Sequence, residues 1–217
     1  ALVLFTWAGP LRAAVVETGT VLGEVGVFRK NAAGKKIVVP GWDKSQVVIS
    51  LLPEGHDVET IIPEMPAVVS QKNALFDPEV LLVTKGQAVD FPNNDKIDHN
   101  VFSFSKAKRF DLGIYPKGET KSIVFDKAGP ILILCSIHES MNGIVYVSPT
   151  HLSALTDAKG LFSIENVPVG NYRLYTWHKA LPETIDLVEV SALAVKSGKP
   201  VKVDINLSDI KPQGKGQ

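Results

Sequence analysis

The stretch that most constrains the fold is the apolar run Ile131-Leu132-Ile133-Leu134 and the loop after it, Cys135-Ser136-Ile137-His138-Glu139-Ser140-Met141. Consecutive apolar residues after Gly129-Pro130 are typical of a buried β-strand. Cys135 stands at the end of that strand and is the only cysteine in 217 residues, so an intramolecular disulfide framework is excluded. A lone cysteine is most often a small buried hydrophobe. His138 and Met141, each three positions further along, argue for a metal ligand instead.

The chemistry of these side chains indicates copper. A thiolate, an imidazole and a thioether are three of the four ligands of the trigonal copper site that has a weak axial methionine. The fourth ligand is a second imidazole, for which we nominate His99 in Asn94-Asp95-Lys96-Ile97-Asp98-His99-Asn100-Val101. Cys135, His99 and His138 would form the plane, and Met141 would supply the long axial bond.

The rest of the chain has the pattern of an all-β protein. Short β-branched or alternating runs are separated by Gly, Pro and Asn turns, as expected for a sandwich or barrel. Between residues 67 and 148 these runs are Val80-Leu81-Leu82-Val83, Ala88-Val89-Asp90-Phe91, His99-Asn100-Val101-Phe102, Ser122-Ile123-Val124-Phe125 and Gly143-Ile144-Val145-Tyr146-Val147-Ser148. Residues 15–52 and 155–207 are also strand-like, and no long amphipathic helix is found.

The ligand loop resembles that of the cupredoxin (blue-copper) family, in particular the amicyanin-like spacing Cys-x2-His-x2-Met. His99-Asn100-Val101 is similar to the family's first histidine motif, and Gly143 to Val147 is similar to its closing strand. The resemblance implies a Greek-key β-sandwich over residues 67–148 with one type 1 copper ion. It also implies that Asn100 ties the two ligand loops together and helps to donate a hydrogen bond toward the Cys135 sulfur.

One departure concerns the exposed edge of the site. Amicyanin-like loops often have proline and an aromatic residue after the histidine, whereas this chain has Glu139 and Ser140. An acidic side chain at the usual electron port argues against the family's apolar docking patch and favours a basic partner surface.

A second resemblance covers the flanking segments. Thr156-Asp157-Ala158-Lys159-Gly160-Leu161-Phe162 and Val167-Pro168-Val169-Gly170-Asn171-Tyr172-Arg173-Leu174 are similar to carboxypeptidase-regulatory-like, transthyretin-type sandwiches. We therefore expect one discontinuous sandwich, residues 15–66 plus 149–210, into which the cupredoxin domain is inserted. Insertion is tolerated at exposed loops when the ends of the inserted domain lie close together. The alternative is a tandem of an N-terminal extension, the cupredoxin domain and a C-terminal sandwich. Residues 211–217 are expected to be a flexible tail.

Other chemistries fit the ligand loop less well. A structural zinc site would gain nothing from Met141, and a c-type haem needs a second cysteine. A Cys135–His138 nucleophile pair is poorly placed on one loop and lacks an oxyanion motif. We interpret His56, His151 and His178 as surface or structural histidines.

Composition and the first residues limit the partners and the compartment. Lysine plus arginine equals aspartate plus glutamate, 23 each, which argues against nucleic acid as a partner.

Residues 1–14 are apolar and end in small side chains, so we expect the remnant of an export signal; a first strand or a membrane anchor is the alternative. No later stretch has the ~20 apolar residues of a membrane helix. Export, for example to the periplasm, suits a thiol that a metal protects.

These observations predict an exported, non-enzymatic protein that carries single electrons between redox partner proteins through Cu(I)/Cu(II). A copper-binding protein for delivery, storage or sensing is one alternative. A surface interaction module with incidental copper, in which the second sandwich performs the function, is the other.

Overall fold

The computed structural model of the chain describes residues 16–26, 28–30, 36–38, 43–179 and 187–207. Within these ranges the regular structure is β-strand and no α-helix is present, so the predicted all-β class is confirmed. Among the described residues, no helix has the length and apolar character that a membrane crossing requires. The predicted signal remnant, residues 1–14, and the predicted tail, residues 211–217, lie outside the described residues.

The strands are short, and many alternate between buried and exposed residues, as expected for strands that have one face on a core. In β16, for example, Phe162, Ile164 and Val167 are buried while their neighbours are exposed or half-buried. In chain order the strands are β1 Thr18–Gly26, β2 Phe28–Lys30, β3 Lys36–Val38, β4 Val48–Pro53, β5 Ala67–Val68, β6 Ser70–Lys72, β7 Leu75–Asp77, β8 Val80–Thr84, β9 Ala88–Pro92, β10 His99–Ser103, β11 Phe110–Tyr115, β12 Thr120–Val124, β13 Gly129–Leu134, β14 Asn142–Ser148, β15 Ser153–Leu155, β16 Leu161–Pro168, β17 Gly170–Trp177, β18 Val188–Val195 and β19 Val201–Asn206.

Strands from the middle of the chain form one sandwich. A five-stranded sheet has the order β11-β10-β13-β14-β8, and a three-stranded sheet has the order β12-β9-β5. The apolar side chains of both sheets meet in one core, whose largest fully buried members are Phe91, Tyr115, Phe125, Ile131, Ile133 and Met141. Cys135 and Met141 belong to this core, so the candidate site lies at the end of a packed β-sandwich.

Strands from the two ends of the chain form a second sandwich. One sheet has the order β16-β1-β19 and the other the order β15-β4-β17-β18. Their shared core includes Val21 from β1, Leu51 from β4, Phe162 from β16, Leu174 from β17 and Ile205 from β19. Residues that flank the middle segment on both sides therefore bury their apolar side chains together. The predicted discontinuous sandwich, with its boundaries and its transthyretin-type character, stays a prediction.

The chain leaves and re-enters the second sandwich at neighbouring points on β4. Thr150 Oγ1 donates a hydrogen bond of 3.0 Å to the Leu51 carbonyl, and Ser153 pairs with Ser50. Beside these contacts the aromatic ring of Tyr146 on β14 packs on Trp177 of β17, with centroids 4.9 Å apart. Together with Val48 they form a small apolar cluster that joins the two sandwiches.

Replacing Trp177 tests how much its packing against Tyr146 and Val48 contributes to the free energy of unfolding. Because Trp177 is 3% exposed, Trp177→Ala should lower the free energy of unfolding by about 3–5 kcal/mol, as expected for a buried tryptophan. The matched control is Phe104→Ala, since Phe104 is 72% exposed and its loss should cost no more than about 0.5 kcal/mol. Denaturant unfolding of both variants measures the difference. Equal, small losses would contradict the buried contact.

Candidate metal centre

The ligand loop, residues 135–141, connects two paired antiparallel strands. Leu134 at the end of β13 pairs with Asn142 at the start of β14, and the loop is closed by backbone hydrogen bonds. The N–H of Cys135 donates to the Met141 carbonyl at 3.2 Å, and the N–H of Met141 donates to the His138 carbonyl at 3.0 Å. The strand pair therefore fixes both ends of the loop.

Three of the four predicted ligands converge. The donor atoms of His99, Cys135 and His138 all lie within 4.8 Å of one another. The Sγ atom of Cys135 is 3.9 Å from Nδ1 of His99, and the two imidazole centroids are 5.0 Å apart. Among the described residues, no other group of His, Cys, Asp or Glu side chains has three donor atoms this close together.

Met141 is fully buried in the same core cluster as Cys135. Its backbone carbonyl accepts the Cys135 N–H, so the two residues are held side by side where the ligand loop joins β13 to β14. The structure thus places all four predicted ligands at one end of the sandwich. The role of each as a ligand stays a prediction.

His138 provides a test of whether these residues suit a metal ion. The ring is half-buried, and its Nδ1 atom is buried without any hydrogen-bond partner. A buried polar atom that lacks a partner costs free energy unless a ligand satisfies it. A metal ion held by Cys135 and the two histidines would satisfy this nitrogen, so the donor set fits copper.

His99 is fully buried and uses its two ring nitrogens in different directions. Nδ1 faces the Cys135 sulfur, and Nε2 lies 2.9 Å from Oδ2 of Asp95. The Asp95 carboxylate also accepts the backbone N–H groups of Ala74 and Lys96. Hydrogen bonds lower the pKa of Asp95 to about 2. The largest effect comes from the Ala74 N–H, followed by His99 and the Lys96 N–H. Asp95 is therefore ionised at neutral pH. Its stabilising contribution is complete above about pH 4 and is lost as the pH falls toward 2.

Asn100, on the segment that carries His99, contacts the ligand loop. Its Oδ1 accepts the backbone N–H of Ser136 at 3.0 Å, next to Cys135. Its Nδ2 donates to Oδ1 of Asp111 at 2.7 Å, and the same oxygen accepts the N–H of Gly113. The predicted hydrogen bond toward the Cys135 sulfur stays a prediction, since the Asn100 amide group is directed at Asp111.

A buried polar network lies on the other side of His99. Tyr115 pairs with His99 across β10 and β11, and its hydroxyl donates to the Phe91 carbonyl at 2.9 Å. Gln71 Nε2 donates to the same hydroxyl. Burial raises the pKa of Tyr115 to about 12. The phenol thus stays neutral and acts as a fixed hydrogen-bond donor.

The outer edge of the site is mixed in character. Glu139 is exposed next to His138, as the sequence suggests. Ile97 and Ile137, one on each ligand-bearing segment, are 46% and 44% exposed. The exposed side chains beside the ligands in the sequence are therefore both charged and apolar.

The remaining histidines lie outside this cluster. His56 packs edge-on against Tyr172 at 5.1 Å. His151 Nδ1 accepts the Ile61 N–H, and burial lowers the pKa of His151. Burial also lowers the pKa of His178. None of the three belongs to a metal-ligand group among the described residues.

Comparison with known proteins gives matches among solved structures only. No protein-family model matches the chain, and no curated protein sequence matches it. A purple cupredoxin from Nitrosopumilus maritimus is 26% identical, with 38% of this chain and 99% of that chain covered and a TM-score of 0.35. A copper-containing nitrite reductase from Thermus scotoductus SA-01 is 27% identical, with 45% of this chain and 25% of that chain covered and a TM-score of 0.38. The reduced Cu(I) form of a mutant amicyanin is 23% identical, with coverages of 40% and 86% and a TM-score of 0.37.

These neighbours are copper proteins of the cupredoxin type or contain copper, and each match covers less than half of the chain. The chain spans a quarter of the nitrite reductase. With TM-scores this low, the assignment of the site rests on the side chains described above.

Removing the Asn100 side chain tests its bridging role. Because Asn100 is 3% exposed, Asn100→Ala should leave the Ser136 N–H without its acceptor and cost about 1–3 kcal/mol of stability. The exposed Asn142, whose Nδ2 donates to the Ser140 carbonyl, provides the matched control, Asn142→Ala, for which we expect little change. Denaturant unfolding of the metal-free variants compares them. If the two variants unfold alike, the bridge is not structural.

Proposed function

We propose that His99, Cys135, His138 and Met141 hold one copper ion as a type 1 site, and that the protein carries single electrons between redox partners. One observation carries the proposal. Nitrogen and sulfur donors of three side chains converge within 4.8 Å at the end of a packed sandwich, and the Nδ1 atom of one of them, His138, is buried without a hydrogen bond.

The donor set favours copper over the other metals. Thiolate and thioether ligands suit copper, and imidazole suits both of its oxidation states, whereas a zinc site would make no use of the buried Met141. When bound, copper would supply a one-electron Cu(I)/Cu(II) couple. The protein would hold its ligands in the loop between the paired strands β13 and β14 and at the start of β10, so that little has to move when the charge changes.

Burial of the ligands supports electron transfer rather than catalysis. His99 and Met141 are fully buried and Cys135 is 5% exposed, whereas His138 is half-buried. A catalytic metal site keeps an open position for substrate, and the half-buried ring of His138 offers an electron path to the surface instead. We therefore propose a non-enzymatic carrier, with the edge of His138 as its electron port.

The surface around His138 indicates the type of redox partner. Glu139 is exposed beside the port, and opposite charges steer the encounter of electron-transfer proteins. Ile97 and Ile137 add two exposed apolar side chains. We propose a partner that presents a basic rim around a small apolar contact.

We place the protein in an exported compartment, such as the periplasm. The support comes from the apolar residues 1–14 of the sequence and from a single thiol, which a metal would protect from oxidation. The second sandwich is proposed to be the discontinuous, carboxypeptidase-regulatory-like scaffold that holds the copper domain.

A visible spectrum tests the copper site. One equivalent of Cu(II) added to the metal-free protein should produce an intense thiolate-to-copper charge-transfer band. Cys135→Ser should abolish this band because it removes the thiolate. Ser140→Ala, a change at an exposed position of the same loop, should keep it.

The other outcomes assign the alternatives. Tight binding of Cu(I) with no charge-transfer band for Cu(II) would favour delivery, storage or sensing of copper. Failure to bind either ion would overturn the copper proposal and leave an interaction module.

Replacing Met141 tests its role as a weak axial ligand. Met141→Leu should keep the colour and raise the reduction potential, since it removes only a long, weak donor. Met65 is the only other methionine and is 78% exposed, so Met65→Leu is the matched control and should leave the potential unchanged. Voltammetry measures both variants. Loss of colour in Met141→Leu would mean that Met141 is a strong ligand.

A further inference from the structure

Asp95 is the charged group closest to the candidate ligands that the proposed function does not use. Its Oδ2 atom lies 2.9 Å from Nε2 of the fully buried His99. The opposite nitrogen of the same ring, Nδ1, faces Cys135 Sγ at 3.9 Å. One imidazole therefore connects the carboxylate directly to the candidate metal position.

The polar contacts of the Asp95 side chain are with two backbone N–H groups and with one ring nitrogen of His99. Oδ2 accepts the Ala74 N–H at 2.7 Å and faces His99 Nε2, and Oδ1 accepts the Lys96 N–H at 2.8 Å. An ionised carboxylate accepts at both oxygens, whereas an amide would direct its own N–H groups at a donor. Asparagine therefore does not satisfy this arrangement.

The hairpin formed by β6 and β7 contacts the same oxygen of Asp95 that faces His99. Lys72 pairs with Leu75 across a two-residue turn, in which Asn73 and Ala74 have φ angles of 56° and 55°. This left-handed backbone is uncommon for alanine and directs the Ala74 N–H at the carboxylate. The hairpin thus fixes the oxygen that faces His99.

We propose that Asp95 is a positioning residue for the copper ligand His99. It accepts the proton of Nε2 and so leaves the lone pair of Nδ1 free to face the metal. Its negative charge also makes the imidazole a stronger donor, as carboxylates do for metal-bound histidines in general. Because a stronger donor and a nearby anion favour Cu(II) over Cu(I), Asp95 lowers the reduction potential. This effect on the potential rests on the proposed function.

The tautomer can be measured in the metal-free protein. Long-range ¹H–¹⁵N NMR spectra at about pH 8, where an ordinary histidine is neutral, should show His99 with its proton on Nε2. In Asp95→Asn the Nδ1–H form should gain population. A His99 ring that is protonated on Nδ1 in the wild-type protein would overturn the proposal, whatever the protein does with copper.

The second measurement uses Cu(II) and two variants with the same change in charge. Asp95→Asn should weaken Cu(II) binding about 10–100-fold, as losses of such carboxylate partners do, and should raise the potential while the thiolate-to-copper band remains. The control is Asp98→Asn, since Asp98 is exposed on the same segment and its charge is screened by solvent. It should leave both quantities nearly unchanged.

The outcomes separate the proposal from the copper assignment. Equal shifts in the two variants would mean that only net charge matters, and the positioning role would be wrong. If Asp95→Asn does not fold, Asp95→Glu, which keeps the charge but displaces the oxygens, should show the altered tautomer, and a wild-type tautomer in it would contradict the proposal. A protein with the predicted tautomer that fails to bind copper would overturn the proposed function alone.

Discussion

The hydrogen bond from the Ser136 N–H to Asn100 Oδ1 is the interaction on which the candidate site most depends. It connects the segment that carries His99 to the loop that carries Cys135, His138 and Met141. These two segments are 36 residues apart in the chain, so their local sequences cannot bring them together. The acceptor side of the bond is shielded from water because the Asn100 side chain is buried, and such shielding strengthens a hydrogen bond. The four side chains can therefore meet before any metal is bound.

The candidate ligands are held rigidly by the β-sandwich at whose end they lie. β13 and β14 pair without interruption from Gly129 to Leu134, and their inward side chains are fully buried. The second sandwich adds support at the far end of β14, where Tyr146 packs on Trp177. In the proposed function this support keeps the ligands in place while the charge of the site changes. It also gives a physical reason for linking an electron carrier to a second β-sandwich.

The part of the site that could be predicted from sequence is the part carried by local spacing. Cys135, His138 and Met141 lie within one loop after an apolar strand, so their proximity follows from the chain itself. Local spacing does not identify His99, which is nominated from the ligand chemistry of copper and from the resemblance to cupredoxins. The sequence does not identify the contact between Asp95 and Ala74, because Ala74 lies on a hairpin with no Asn-Gly or Asp-Gly signal. Nor does it point to Asp111, because aspartate and glycine are unusual in strands and β11 contains both Asp111 and Gly113.

In the proposed site, one copper ion is held by the thiolate of Cys135 and the imidazoles of His99 and His138. X-ray absorption at the copper K edge of the protein loaded with one equivalent of Cu(II) tests it most directly, because the fine structure reports the atoms bound to the metal. For the proposed site we expect one short copper–sulfur bond and two nitrogen ligands with the scattering pattern of imidazole. A spectrum with nitrogen and oxygen ligands and no short copper–sulfur bond would contradict it.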